Sequence, residues 1–439
     1  MSFSPIRVGA AENVLEVPLF AELSGYGPFA GRRNLGVRDP LYCRVMTFDD
    51  GVRRNVIVVT DTIASDLLSS RVLRMKLATE FALYPESIMF VATHTHSAPA
   101  PGNSLAVGYQ TENRQFDENW FEVIRRTLIE AMANEEEVRA FAGRAKIRKP
   151  IGERRTTSED RHTDPEIRFV KIVRPDGSVK ALMHNHAMHG VVFGPQRYVS
   201  ADWMGDANAK IKARKLAEIP FFLYGASGDI NVIWTHPKPE ERHLNLEWIG
   251  TSYVDDLEAG LNDCHEISLG PVSAVLKTVE LPTEKVDAAE CRANAEKLLA
   301  KPPDEFERLR VFMSDRLREM AVLADRGHDF RVFQDLQVLK MGDLEVCAIP
   351  GEPFLETGEE IMARSKAAFP IVVSVANGHC GYLPTLEMFR QYPDILCCDD
   401  FGAFGFFEVW FGPAALRAKY RSEVLDFVVR KILEMDGKL

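Results

Sequence analysis

The chain has 439 residues, 46% of them hydrophobic and 27% charged, with a formal net charge of −11. That composition belongs to an ordinary globular protein with a buried core, and the length fits one large α/β domain or two subdomains. The acidity argues against a nucleic-acid partner, which needs a basic face, and no apolar run approaches the roughly 18 residues of a membrane helix.

At the start, Met1-Ser2-Phe3-Ser4-Pro5-Ile6-Arg7 lacks the basic and apolar regions of a secretion signal, so the expected location is the cytoplasm. Residues 1–50 read as loop, with Gly25-Tyr26-Gly27-Pro28 permitting tight backbone paths. Arg32 and Arg33 read as solvated surface or, alternatively, as a clamp for an anionic group. Residues 55–60 are a buried strand, 64–81 a helix and 87–91 a second buried strand, which makes a βαβ unit and a parallel pair. The second strand runs into Thr93-His94-Thr95-His96-Ser97. In an extended T-H-T-H, alternate residues point the same way, so both rings would face one cleft. The alternative is a capping or satisfied core histidine.

A helix over 116–134 and a half-exposed strand over 139–149 follow. The polar stretch 152–163 holds Arg154, Arg155, Arg161 and His162. Residues 167–173 and 178–183 read as a hairpin around Pro175-Asp176-Gly177, ending in His184-Asn185-His186-Ala187-Met188-His189. One ligand is expected among these three histidines. A helix over 204–217 leads to an apolar strand over 219–224, which ends in Gly225-Ala226-Ser227-Gly228-Asp229-Ile230-Asn231. Small residues there let the backbone approach a ligand closely.

Residues 251–264 read as helix and 274–281 as strand. The charged stretch 286–326 reads as an inserted helical pair broken at Pro302-Pro303, and it marks a possible division into 1–282 and 283–439. A strand over 344–349 ends in Pro350-Gly351-Glu352-Pro353 and precedes a helix over 355–368. A strand over 370–376 ends in Asn377-Gly378-His379-Cys380-Gly381-Tyr382. The seven cysteines contain no C-x-x-C pair and suit free thiols in a reducing compartment; Cys397-Cys398 reads as buried small hydrophobes. The aromatic loop 401–411 lacks basic company and reads as a pocket wall or oligomer contact rather than a membrane anchor. A final amphipathic helix covers 414–435, and no internal repeat is visible.

The expected fold is therefore α/β: mixed, largely parallel sheets flanked by helices, with a site at the C-terminal ends of the strands. Five strand ends deliver His94 and His96, then His184, His186 and His189, then Ser227 and Asp229, then Glu352, then Tyr382. Two imidazoles and one carboxylate with an open position make a hydrolytic zinc site, where bound water ionises near neutral pH. Five unrelated structural loops are the alternative.

At these residues the chain resembles the neutral/alkaline, non-lysosomal ceramidase family. The likeness runs in order through Gly25-Tyr26-Gly27, Thr93-His94-Thr95-His96-Ser97, 185–189, Ser200-Ala201-Asp202, Gly228-Asp229, Pro350-Gly351-Glu352 and Gly381-Tyr382. The resemblance implies one ceramidase-like catalytic domain over 1–439, with zinc held by His94, His189, Glu352 and Tyr382. It also implies His96 behind the metal as a substrate or oxyanion contact, and Arg155 as a substrate-side arginine. Asp229 or Asp202 would orient a ligand from outside. The chain departs from the family where ceramidases carry G-D-V-S-P, because Asn231 stands at that serine. An asparagine cannot serve as nucleophile but can donate a hydrogen bond to an oxyanion. The family's C-terminal immunoglobulin-like domain is not expected either.

The resulting expectation is a zinc-dependent hydrolase cleaving an amide (N-acyl) bond of a small polar substrate, without stable membrane insertion and compatible with a homo-oligomer. Alternatives are a zinc lyase or glycoside-processing enzyme acting on an acidic sugar, which the Arg32/Arg33 and Arg154/Arg155 pairs would favour, a true ceramidase, and a non-catalytic binding protein.

Overall fold

The computed structural model describes residues 6–26, 31–102, 113–155, 162–233, 241–303, 307–392, 409 and 419–437. Among these residues the chain runs through three successive units of the same connectivity. The first has β1 (Arg7–Leu15), a short pair β2 (Glu22–Leu23) and β3 (Arg32–Arg33), then β4 (Leu41–Asp49), β5 (Arg54–Thr60), α1 (Leu67–Glu80), β6 (Ile88–Ala92) and α2 (Arg114–Ala133), with β7 (Glu136–Glu137) at its edge. The second has β8 (Arg139–Lys146), β9 (Gly152–Arg154), β10 (Glu166–Val173), β11 (Val179–His186), α3 (Asp202–Ala213), β12 (Ile219–Tyr224), β13 (Ile230–Val232), α4 (Arg242–Gly260) and β14 (Cys264–Ile267). The third has β15 (Val272–Leu281), α5 (Ala288–Leu299), α6 (Glu307–Asp325), β16 (Val332–Met341), β17 (Leu344–Ala348), β18 (Glu352–Pro353), α7 (Leu355–Arg364), β19 (Phe369–Val373), β20 (Tyr382–Leu383), α8 (Leu386–Gln391) and a last helix, α9 (Val424–Asp436).

The sheet orders are β6-β5-β4-β1-β7, β12-β11-β10-β8-β14 and β19-β17-β16-β15. In each, three strands pair antiparallel and a helical crossover then adds a fourth strand in parallel, namely β5–β6, β11–β12 and β17–β19. A later helix, α2, α4 or α9, packs back onto the first strands of its unit. No sequence repeat announces this threefold scheme.

Strand alternation sets the layers. In β5, Ile57 and Val59 face one way and Val56 and Val58 the other, as a side-chain period of two requires. The inward residues of all three sheets, such as Met46, Met89, Val170, Phe221, Val346 and Ile371, form one shared apolar cluster. The outward residues meet each unit's own helices: Phe116 and Trp120 over the first sheet, Trp203 and Tyr253 over the second, Ile361 and Val428 over the third. Each such large side chain removed from water stabilises the fold by about 1.5–3 kcal/mol. Gly9 allows one such close approach, because a Cβ there would lie 1.9 Å from the Ala131 carbonyl oxygen of α2.

The mixed α/β architecture agrees with the expectation, but the share of parallel pairing does not. Strands covered on both faces read as continuous apolar runs, which is also how parallel strands read. The loop reading of 1–50 is corrected as well: β1 and β4 pair over nine residues from Arg7↔Asp49 to Leu15↔Leu41. Their polar interruptions, Glu12, Asn13 and Arg44, hid the alternation. Within 152–163, β9 is a strand paired with β13. The helical insertion sits between β15 and β16, which pair over ten residues across position 282. The Cys397-Cys398 pair, Arg161 and the 401–411 loop, apart from Val409, lie outside the described residues. The described cysteines, Cys43, Cys264, Cys291, Cys347 and Cys380, are free thiols. No described helix is long and apolar enough to cross a membrane.

Candidate metal centre

The three parallel pairs end on the same side of the shared core, and their C-terminal loops bring distant histidines together. The chain leaves β6 at Ala92 and turns at His94, whose φ is +64°. A left-handed backbone costs a non-glycine residue about 1 kcal/mol or more, and such residues cluster at functional sites. The turn is held by the His94 N–H donating to the Thr62 carbonyl at 2.9 Å and the His96 N–H donating to the Gly190 carbonyl at 3.1 Å. From the second unit, the His189 N–H donates to the Ile230 carbonyl at 3.0 Å. From the third, β18 and β20 pair in parallel and set Glu352 beside Tyr382.

His94, His96 and His189 are buried, and their ligand atoms lie within 4.8 Å of one another. The His94 Nδ1–H donates to the Ile63 carbonyl at 2.7 Å and the His189 Nδ1–H to the Ile230 carbonyl at 3.0 Å. A carbonyl only accepts, so each neutral ring keeps its proton on Nδ1 and turns a bare Nε2 inward. Those Nε2 atoms stand 3.3 and 3.0 Å from the same carboxylate oxygen, Oε2 of Glu352. His96 Nε2 lies 3.2 Å from His94 Nε2. Acceptors facing acceptors at this range call for a positive charge between them. Their spacing is that of ligands around a tetrahedral zinc, where arms of ~2.0–2.1 Å put neighbouring donors about 3.3 Å apart. The donor set fits a zinc-class cation.

Electrostatics agree. Burial pushes the His189 ring down to about 4, with the Arg155 charge adding to the effect. Burial, with His94 and His189 close by, also holds His96 well below its usual value. Burial alone would raise the Glu352 carboxyl; positive charge in the cluster, on an imidazolium or on a cation in its place, outweighs it and keeps it well below the carboxylate range.

The remaining expected residues fall into two groups. Arg155 and Tyr382 adjoin the cluster: the Arg155 guanidinium lies 5.1 Å from the Tyr382 ring centroid, donates to the Gly228 carbonyl at 2.5 Å and reaches Asn231 Oδ1 at 3.5 Å. Asn231 sits in β13 at the position expected to face the site, with its side-chain oxygen turned to Arg155. His96 stands closer than the sequence suggests, among the metal-capable atoms rather than behind them. Gly25 makes room for it, since a Cβ there would lie 2.5 Å from His96 Nδ1.

Asp229 and Asp202 do not touch a histidine ligand. Asp229 Oδ1 accepts the Leu355 N–H at 3.0 Å and Oδ2 lies 2.8 Å from Arg154 Nε, so it fastens β13 to the start of α7. Burial, offset by Arg154, raises it to about 6. Asp202 accepts the Val192 and Trp203 N–H groups at 3.2 and 2.8 Å. It reaches His189 only through Trp203, whose Nε1–H donates to the His189 carbonyl at 2.9 Å. Burial raises Asp202 to about 7.

His184 and His186 are strand residues, not loop ligands, and their rings are occupied elsewhere. His184 contacts the Tyr253 hydroxyl at 2.9 Å and Asn208 Oδ1 at 2.8 Å; His186 Nδ1 contacts the Glu166 carbonyl at 3.0 Å and Asp164 at 3.4 Å. Arg32 is buried rather than solvated, donating to the carbonyls of Ser24, Gln196 and His96. Sequence reasoning assigned no role to His379, whose Nε2 lies 2.9 Å from Glu352 Oε1. The one signal for it was its place three residues before Tyr382, at the end of a buried strand.

No protein-family model matches this sequence, and no curated protein does. Among solved structures, the neutral ceramidase from Pseudomonas aeruginosa superposes with a TM-score of 0.73 at 17% identity, over 99% of this chain and 75% of that one. A ceramidase complexed with C2 gives a TM-score of 0.72 at 16% identity, over 99% of this chain and 76% of that one. At this identity the likeness establishes a shared fold across essentially the whole chain.

Proposed function

We propose that the protein is a zinc-dependent hydrolase that cleaves the amide (N-acyl) bond of a small polar substrate. The observation that carries this reading is the meeting of one carboxylate oxygen of Glu352 with the bare Nε2 atoms of His94 and His189. Zinc bound there would supply a Lewis acid and a water that ionises near neutral pH. His94, His189 and Glu352 would hold it, with Tyr382 beside Glu352 as a fourth protein donor in a site that expands to five positions, the last open to water. The backbone carbonyls of Ile63 and Ile230 keep both rings in the coordinating tautomer. His96 stands where it can hold or pass a proton near the reacting oxygen. Arg155 and Asn231 flank the same approach and offer hydrogen-bond donors to an acyl oxygen.

The ceramidase names of both structural neighbours support amide hydrolysis over other zinc chemistry. Of the arginine pairs that would favour an acidic sugar, Arg32 is taken up by backbone carbonyls and Arg154 by Asp229 and Glu356. The free thiols support a reducing compartment.

The test is elemental analysis of the purified protein, followed by turnover on a panel of N-acyl compounds and uronates. One zinc per chain, with amine release that stops on exhaustive chelation, is the expected result. An unsaturated, ultraviolet-absorbing product from a uronate would replace hydrolysis with a lyase, and unchanged turnover after chelation would end the metal reading.

A further inference from the structure

Three imidazoles surround the Glu352 carboxylate, and their outer nitrogens are bonded in opposite senses. His94 and His189 donate from Nδ1 and present bare Nε2 atoms to Oε2. His379 is held the other way: its Nδ1 accepts the Gly381 N–H at 3.3 Å. The neutral ring therefore carries its proton on Nε2, 2.9 Å from Oε1 of Glu352. One carboxylate oxygen faces the cluster and the other receives a hydrogen bond.

We propose that His379 is a positioning residue that fixes the rotation of the Glu352 carboxylate, so that one oxygen alone serves the metal. This rests on the metal reading above. A carboxylate free to rotate can present both oxygens to a cation, closing the open position that hydrolysis requires. A hydrogen bond to Oε1 opposes that rotation, as outer partners of metal ligands do.

The ring itself is built on a rigid support. Two residues earlier, Asn377 adopts φ +60°. Its Oδ1 accepts from Arg74 Nη2 at 2.7 Å and from the Phe90 N–H at 3.1 Å, and its Nδ2 donates to Gln337 Oε1 at 2.8 Å. Arg74 belongs to α1 and is itself buried beside Asp335 at 3.5 Å. The loop carrying His379 is thus pinned by the first unit's helix and strand and by the third unit's sheet. Gly378 has φ +150°, and a Cβ there would lie 3.3 Å from the Leu67 Cα, so the loop passes too close to α1 to swing.

The experiment measures zinc affinity of the holoprotein by competition with a chromophoric chelator, for His379→Phe and His379→Gln beside His94→Ala. His379→Phe should weaken zinc binding by ~10–100-fold, the usual cost of an outer-shell partner. His379→Gln, whose amide N–H reaches the same oxygen, should recover most of that loss, and chelator-stripped samples should unfold at the same denaturant concentration. Should His379→Phe not fold, His379→Asn, too short to reach Oε1, takes its place with the same expectation. Wild-type affinity in His379→Phe, or equal losses in the Phe and Gln variants, would overturn the proposal while His94→Ala still loses zinc. Retention of zinc by His94→Ala would instead bring down the metal site itself.

Discussion

His94-Thr95-His96 and His184-Asn185-His186 have the same spacing, and each follows or ends a strand that pairs in parallel with its neighbour, yet they do different things. The second pair lies inside β11, so both rings project from the outer face of one sheet. There they are consumed by their own unit: Tyr253 and Asn208 bind His184, while Glu166 and Asp164 meet His186. The first pair lies beyond the end of β6, where the backbone turns at His94 and all three units meet. Its rings face Glu352 and His189 from the other two units. Counted from the last strand residue, the metal-capable pair sits four positions further along than the structural one.

The sharpest way to break this comparison is to remove one ring from each pair. His94→Ala should abolish stoichiometric zinc and lower turnover by more than the ~10–100-fold cost of an outer partner. In the chelated protein it should cost less stability than His184→Ala, because only the Ile63 carbonyl loses a partner. His184→Ala should do the reverse: full zinc content, but about 2–4 kcal/mol lost in urea unfolding. The Tyr253 hydroxyl and the Asn208 amide would be left buried without a partner, beside a new cavity. Equal zinc loss in both variants would erase the distinction.

Acid sharpens the same contrast. Burial pushes His184 from 6.5 down to about 3. A depressed histidine contributes stability that is complete above the unfolded value and is lost as pH falls toward the folded one, because the unfolded state binds the proton first. The gap between wild type and His184→Ala, measured on chelated protein, should therefore narrow as pH falls below 6.5, by about 1.4 kcal/mol per unit, and close within roughly three units. A gap independent of pH would show that the ring is not held neutral. The smallest effect belongs to an exposed histidine: His162→Ala removes a surface pairing with Glu359 and should shift stability by less than ~1 kcal/mol, with zinc content unchanged.

Much of this was legible in the chain. The apolar runs that become β5, β6, β12, β17 and β19 are short, bounded by turn residues and separated by helical periodicity, so the crossovers could be read directly. Those strands end just before His94 and Glu352, which is why the pattern points to both; His189, beyond β11, was singled out from His184 and His186 by the family resemblance alone. The strands β1 and β4 were not legible, because Glu12, Asn13 and Arg44 interrupt their alternation. Arg44 is nonetheless buried, 3.1 Å from Asp61, which no local pattern reveals. The threefold scheme was hidden too, since the three units share connectivity and layer pattern but not residues. His379 escaped notice because its partner is a carboxylate 27 positions away, brought near only by the pairing of β18 with β20.

The amino-acid order alone determined which segments become strands and helices and which polar residues wait at their ends, because period-two and period-3.6 burial are properties of neighbours along the chain. Tertiary structure alone decided which histidines share a carboxylate, which nitrogen of each ring carries the proton, and which arginines are spent on the protein itself. Those outcomes depend on backbone carbonyls and side chains from other units, and the sequence brings them close only after three sheets have closed around one core.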